Sequence, residues 1–213
     1  RALVASIETH WKRGADYYAV PWRGTWAGEQ GGAVLGHAIH AHDLLTHVFG
    51  PVRKVSAMTA TRVNPIETED CAAISFEMCN GALVTSSITL GAASDSSRLR
   101  FVFEHLTAES GTAPYAPASD GWTLTARAPE NQARVDEITS AVPDMPSGFR
   151  GLLIEVARAL GGEPSRVVTP DEGRRSIELV TAIYQSQRGS CPVELPLGSE
   201  SSGYDGWQPF RPP

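Results

Sequence analysis

Asp70-Cys71-Ala72-Ala73-Ile74-Ser75-Phe76-Glu77-Met78-Cys79-Asn80-Gly81-Ala82-Leu83-Val84-Thr85-Ser86-Ser87-Ile88-Thr89-Leu90 is the stretch that decides the fold class. Residues 70–78 and 82–90 each alternate apolar and small polar side chains, the period of a strand with one buried face. Asn80-Gly81 between them supplies the positive backbone angles of a tight hairpin turn. Working outward, residues 52–63 read as the strand before the hairpin, and residues 98–104 (Arg-Leu-Arg-Phe-Val-Phe-Glu) as an alternating strand after it. A further strand is expected at 2–11 and a short one at 122–126, with 106–120 as a Gly/Pro/Ser-rich loop. Helices are expected at 32–49, at 149–160, closed by Gly161-Gly162, and from Thr169-Pro170-Asp171-Glu172 to about residue 187. The last has Pro at its first position and acids in its first turn. An extended piece at 191–197 and a polar tail with Trp207 and Phe210, packed on another element, complete the chain.

The order is strand, helix, a run of strands, then two helices. That is an α+β pattern: a large open, mostly antiparallel sheet with helices on one face, in a single domain over residues 1–213. The regular strand–helix alternation of a Rossmann domain is absent, as is any Gly-x-Gly-x-x-Gly. At 41% hydrophobic and 20% charged residues, with mean hydropathy −0.18, the composition is that of a soluble globular protein. A net charge of −6 and a pI near 5.5, with no Lys/Arg run, argue against nucleic acid as a partner. No apolar run reaches the ~18 residues of a membrane span. Cys71, Cys79 and Cys191 show no metal-type spacing, and Cys71 and Cys79 read as reduced core residues, which suits the cytoplasm.

Four of the six histidines lie in the first helix: His37, His40, His42 and His47. On a wheel of 100° per residue, Val34, Ala38, Ala41, Leu45 and Val48 form a core stripe. His37, His40, Asp43 and His47 fall on the other side, with Gly36 among them. His40 and Asp43 are three apart and so are surface neighbours. An Asp beside an imidazole can orient the ring and stabilise its charged form. Gly36, one turn before His40, leaves space there. The same pattern also describes a plain solvated face. A zinc site through His37, His40 and Asp43 is a third option, although His-Glu-x-x-His is missing. The long loop at 12–30 carries Tyr17, Tyr18, Trp22, Arg23 and Trp26, aromatic faces and an Arg fork suited to a sugar or polyol acid.

Residues 31–45, Gly-Gly-Ala-Val-Leu-Gly-His-Ala-Ile-His-Ala-His-Asp-Leu-Leu, resemble the Gly-Gly…Asp/Asn-x-x-x-His-x-x-Asp-Leu-Leu helix of the glucose–fructose oxidoreductase/inositol dehydrogenase (Gfo/Idh/MocA) family. Glu69-Asp70-Cys71 through Asn80-Gly81-Ala82-Leu83 is similar to that family's central hairpin. Residues 169–180 and 192–196 are similar to its closing helix and strand, and Gly206-Trp207-Gln208-Pro209 to its tail. The resemblance covers only the family's C-terminal domain. The Rossmann half and the Glu-Lys-Pro lysine have no counterpart; Lys12 and Lys54, the two lysines, stand in neither context.

The resemblance implies an isolated substrate-binding and oligomerisation domain of an NAD(P)-dependent oxidoreductase acting on a sugar or polyol, inactive alone. His40 matches the family's catalytic histidine. His37, Arg23, Trp22, Tyr18, Asp43 and His10 are candidates for substrate contact. NAD or NADP would be bound by the nucleotide-binding domain and not by this chain, and no metal is expected. A homodimer or homotetramer through the open sheet face is implied. Gly36 departs from the family's polar residue one turn before the His. It leaves open a non-catalytic binding or assembly domain, beside the third reading, a metal-dependent hydrolase or lyase.

Overall fold

The computed structural model describes residues 1–119, 121–143 and 145–209. Its sheet has eight strands in the order β7-β6-β5-β1-β4-β3-β2-β8. In chain order these are β1 (Ala2–Lys12), β2 (Val52–Ala60), β3 (Cys71–Met78), β4 (Leu83–Thr89), β5 (Gly91–Phe103), β6 (Leu106–Glu109), β7 (Thr123–Ala126) and β8 (Val193–Glu194). β1 pairs in parallel with β4; every other pairing is antiparallel. The helices are α1 (Ala15–Tyr18), α2 (Trp26–Glu29), α3 (Ile39–Phe49), α4 (Gln132–Ser140), α5 (Gly148–Leu160) and α6 (Pro170–Gly189). The mostly antiparallel α+β architecture read from the sequence is what the chain forms.

Strand parity explains which face is covered. Ala5, Ile7, Thr9 and Trp11 of β1 are buried, as are Ala72, Ile74, Phe76 and Met78 of β3 and Val84, Ser86 and Ile88 of β4. This face meets α3 and α6, whose Leu45, Phe49, Leu179, Val180 and Ile183 complete the core. The opposite face carries Ser6, Ser56, Ser75, Thr85 and Ser87 and holds a shallow concavity of about 830 Å³. Met58, Leu83 and Val4 stand exposed on the sheet.

The hairpin turn also closes α3. Gly81 has φ 84°, the left-handed region that glycine adopts without strain. Asn80 Oδ1 accepts from Ala82 N–H at 3.0 Å, and its Nδ2 donates to the Phe49 carbonyl at 2.7 Å. One asparagine therefore shapes the turn and satisfies an end carbonyl of the helix. At the other end of the chain α6 begins with a capping box, Thr169 and Glu172 bonding reciprocally, as its sequence predicts.

Several expectations need correction. Cys79 is exposed beyond the last residue of β3, and Cys71 is half-buried on the uncovered face, bonded to Thr89 Oγ1 at 3.3 Å. Neither is a core residue, because parity puts Ala72 and not Cys71 inside. β5 starts seven residues earlier than expected. Residues 91–97 are small and polar, and they extend the strand through pairing with β1. Residues 106–109 form β6 inside the expected loop, and α4 is an additional helix. Residues 12–30 include α1 and α2. In the tail, Trp207 stacks on Tyr184 with centroids 5.9 Å apart and donates to the Gln30 carbonyl. Phe210 lies outside the described residues. Among the described residues no helix is long and apolar enough to cross a membrane.

Candidate functional site

A π-helical turn over Val34–Ala38 precedes α3 and bears on the direction of the four histidines of this helix. Such a turn carries one residue more than an α-turn, so the helix beyond it is rotated by about 100° relative to an uninterrupted wheel. The buried residues are Val34, His37 and Ala38 in the π turn and His42, Leu45 and Phe49 in α3. Val48, expected in the core stripe, is 40% exposed. His37, expected on the polar face, is 9% exposed and faces the sheet. His40 and Gly36 point outward together. A Cβ at Gly36 would meet no atom within 4 Å, so the space beside His40 is open.

Buried Glu69 fixes the start of this helix. Its Oε1 accepts from Val34 N–H at 3.0 Å and from Tyr184 Oη–H at 2.9 Å, and its carbonyl accepts from Ala33 N–H at 2.8 Å. Burial pushes its carboxyl pKa up, against the Val34 and Tyr184 hydrogen bonds. Gly32 is required here. A Cβ on it would fall 2.0 Å from the Glu69 carbonyl oxygen.

Behind His40 lies a cluster of rings and guanidinium groups at the end of β1. The His37 ring is edge-on to Trp11, centroids 5.2 Å apart, and 6.1 Å from Tyr17. Burial drives the His37 pKa down to about 4, with Arg13 and Arg23 pushing the same way. Its imidazole is therefore neutral at pH 7. Arg13 is paired: its Nη1 meets Asp95 Oδ2 at 3.0 Å, and Tyr115 Oη–H donates to the same oxygen at 2.8 Å. Burial acts to raise the Asp95 pKa, but bonds from Lys12 N–H, Arg13 and Tyr115 outweigh it and hold the carboxyl low. Arg23 lies 3.8 Å above the Tyr17 ring and 5.2 Å from that of Trp22. Tyr18 packs edge-on to Tyr17 at 5.0 Å, and its hydroxyl pKa is raised, first by burial and then by Glu29.

The chain thus brings Tyr18, Trp22, Arg23 and His37 together, with His40 close enough to act electrostatically on His37. Asp43 and His10 do not join them. Asp43 accepts from Ser176 Oγ–H at 2.8 Å, tying α3 to α6, and borders a separate groove of about 610 Å³ with His47 and Arg175. His10 has the opposite parity to Trp11. It lies on the uncovered sheet face, bonded to Ser87 Oγ at 2.8 Å. His42 is buried against Phe76, bonded to Ser86 Oγ at 2.9 Å, and burial lowers its pKa to about 4. Sequence reasoning missed Arg13, Asp95 and Tyr115 as one unit, since 82 and 102 residues separate the pairs. It also missed Glu69 as the anchor of the helix; the signal available was an acid preceding a strand, with Tyr184 far along the chain. Among the described residues no three His, Cys, Asp or Glu side chains gather as a metal site.

Comparison with known proteins agrees with the fold. The family model of the GFO/IDH/MocA C-terminal domain matches residues 1–109. No curated protein matches the chain in sequence. Among solved structures, the WlbA dehydrogenase of Bordetella pertussis, in complex with NADH and UDP-GlcNAcA, is 27% identical with a TM-score of 0.75. The WlbA dehydrogenase of Chromobacterium violaceum, with the same two ligands, is 28% identical with a TM-score of 0.76. Each comparison covers 93% of this chain and 56% of that one. Aldose–aldose oxidoreductase from Caulobacter crescentus, complexed with glycerol, shares the fold at 18% identity and TM-score 0.70, covering 91% of this chain and 56% of its own. This chain therefore spans little more than half the length of these relatives.

Proposed function

The chain belongs to the GFO/IDH/MocA family, as its C-terminal domain, and on that premise we propose that it is the substrate-binding and assembly half of an NAD(P)-dependent oxidoreductase acting on a sugar or related polyol. The observation that supports this reading is the exposed His40, with the Arg23–Tyr17–His37 cluster beside it. The two WlbA relatives bind NADH together with a sugar nucleotide, which supports a carbohydrate substrate.

The residues described do not fit a dinucleotide. The sequence has no Gly-x-Gly-x-x-Gly, and β1 and β4, the parallel pair, frame no Gly-rich turn into a helix N-terminus. No step is therefore assigned to a cofactor on this chain, and the chain alone does not turn over. What its residues handle is a proton. His40 is exposed, and among the described residues no side chain is hydrogen-bonded to it, so its ring lies open to a substrate hydroxyl as a general base requires. Trp22, Tyr18 and Arg23 offer apolar faces and a donor fork for a hydroxylated ring. His37, neutral and buried against Trp11, is a ring wall and not a second base.

Exposed Val4, Met58 and Leu83 among the serines and threonines of the uncovered sheet face support assembly through a homodimer or homotetramer, since such apolar side chains gain by being buried. Light scattering at micromolar concentration that shows only monomer counts against this part. The three free cysteines suit a reducing, cytoplasmic setting. The test of the enzymatic reading is nicotinamide reduction with a panel of sugars and polyols. It uses the protein that joins this chain to a nucleotide-binding domain, with and without His40→Ala. A drop of roughly 10²–10⁴ in kcat is expected. Unchanged activity overturns the role of His40. Absence of any reduction, with a folded domain, favours instead a non-catalytic binding domain. The empty position at Gly36, where the family has a polar residue, speaks for that reading.

A further inference from the structure

α5 is an amphipathic helix that faces the wrong way for its own domain. On a wheel of about 100° per residue, Phe149, Leu152, Leu153, Val156 and Leu160 fall within one stripe about 100° wide. Such a stripe normally lies against a core. Here Phe149 is 84% and Leu160 85% exposed, Leu152 and Leu153 are exposed as well, and no residue of the helix is buried. The side turned toward the chain is the polar one. Glu155 accepts from Arg166 N–H at 2.7 Å, Ser165 Oγ–H donates to its carbonyl at 2.7 Å, and only 15% of its side chain is exposed. These bonds hold α5 to the segment that leads into α6, so the outward heading of the stripe follows from the chain's own contacts.

A contiguous apolar stripe in water marks a contact surface, and the described residues of this chain supply no cover for it. The WlbA structures contain a body of the right scale. The similarity covers 56% of each of those chains, so nearly half of each lies outside it, and both hold NADH. Hydride transfer requires the nicotinamide beside the substrate hydroxyl that His40 faces. His40 is exposed on α3, whose buried residues face the sheet. A cofactor-bearing domain therefore approaches over the helices, and the uncovered sheet face is left for a second copy. The helical side also carries exposed Val48 on α3, Ile177 on α6 and Val168 just before α6. Val168 lines the groove of about 610 Å³ where the end of α3 meets the start of α6.

We propose that α5 is a docking helix, and that its stripe of Phe149, Leu152, Leu153, Val156 and Leu160 packs into an apolar groove of the nucleotide-binding domain joined to this chain. The inference rests on the enzymatic reading above and adds to it the surface that sets the two domains against each other. α5 leads through residues 161–169 into α6, and Ser176 of α6 is bonded to Asp43 of α3. A domain seated on α5 is thereby referred to the helix that carries His40. α5 is a positioning element and takes no part in the proton step.

The test is amide hydrogen exchange of residues 148–160, read by mass spectrometry, in the 213-residue chain and in the protein that joins it to a nucleotide-binding domain. The expected result is exchange at least roughly tenfold slower in the joined protein. Leu153→Lys combined with Leu160→Lys keeps helix propensity while charging the stripe. Both side chains are exposed, so the pair is expected to leave the urea midpoint of the 213-residue chain unchanged. In the joined protein the same pair is expected to return α5 to the fast exchange of the chain alone and to widen the molecule in small-angle scattering. The proposal is overturned if α5 exchanges equally fast in the two proteins or if the lysine pair leaves its protection intact. It is also overturned if the chain alone gains that protection as its concentration rises, which assigns the stripe to a second copy. Nicotinamide reduction is read separately. Slow exchange without any reduction refutes the enzymatic reading alone, and reduction by a joined protein whose α5 stays unprotected refutes this proposal alone.

Discussion

His37 and Trp11 meet edge to face, their rings 5.2 Å apart and inclined at 77°, and this contact joins the helix that bears His40 to the end of the central strand. The pair is buried, so His37 behaves as a neutral aromatic ring. Its neighbour on the helix, His42, is buried against Phe76 and Ser86 in the same way.

Both histidines make stability depend on acid. Each has a folded pKa near 4, below the unfolded value near 6.5, so the unfolded chain takes up protons that the folded chain refuses. The stability they confer is complete above pH 6.5 and is lost as pH falls toward 4. Each contributes about 1.4 kcal/mol per pH unit across that window, or about 3 kcal/mol in all. Urea unfolding at a series of pH values is expected to lose one proton's worth of slope in His42→Leu relative to the native chain. Identical slopes in the two proteins contradict the assignment.

Two glycines four residues apart on the same helix entry should answer alanine in opposite ways. Gly32→Ala places a methyl group 2.0 Å from the Glu69 carbonyl oxygen, a backbone atom that cannot step aside. A loss of at least about 3 kcal/mol is expected. Gly36→Ala meets no atom and removes a helix-weakening glycine, so it is expected to be neutral or to gain up to about 1 kcal/mol. Thermal denaturation of the two variants decides it, and a tolerated Gly32→Ala would refute the contact.

Glu69 should tolerate its amide better than its removal. Burial raises its pKa, so the ionised form is disfavoured in the fold, and Gln can still accept from Val34 N–H and Tyr184 Oη–H. Glu69→Gln is expected to match the native stability at pH 7. Glu69→Ala leaves two buried donors unpaired and is expected to cost about 1–3 kcal/mol. Denaturant midpoints that rank Gln with Ala would argue against this role.

The Arg13–Asp95 pair is worth more than the surface pairs. Its side chains are 10% and 22% exposed, against 67% and 68% for Arg134–Glu137. Asp95→Ala strands a largely buried guanidinium and is expected to cost about 3 kcal/mol, whereas Glu137→Ala should change stability by less than about 0.5 kcal/mol. Comparable effects from the two substitutions in chemical denaturation would mean that Asp95 is not holding Arg13.

The fold class was legible because the sheet's period is local. Asn80-Gly81 and the flanking alternation name the hairpin outright, and Thr169-Pro170 opens α6. What local pattern conceals is long-range pairing. Residues 91–97 are too small and polar to read as strand, and they become one by pairing with β1. The site was half legible. The His40 helix was found with the His on its outer side, but the wheel assumed an unbroken α-helix and turned His37 outward. No composition signal marks the π turn. Glu69 holds the helix before it and Ser86 holds His42 after it, and neither contact is visible in the order of residues alone.

That π turn makes segment length a discrete variable of the site. Upstream the backbone is tethered at Val34 N–H to Glu69, and downstream His42 is tethered to Ser86. The π turn takes up the extra residue upstream, so the spacing from His40 to the His42 tether sets the heading of His40. Substitution at Gly36 can therefore vary the chemistry around His40 without turning it. Deleting Ala41 would take the one residue between His40 and the tethered His42 and swing His40 by roughly a quarter to a third of a revolution. The site is then free in composition at position 36 and fixed in length between His40 and His42.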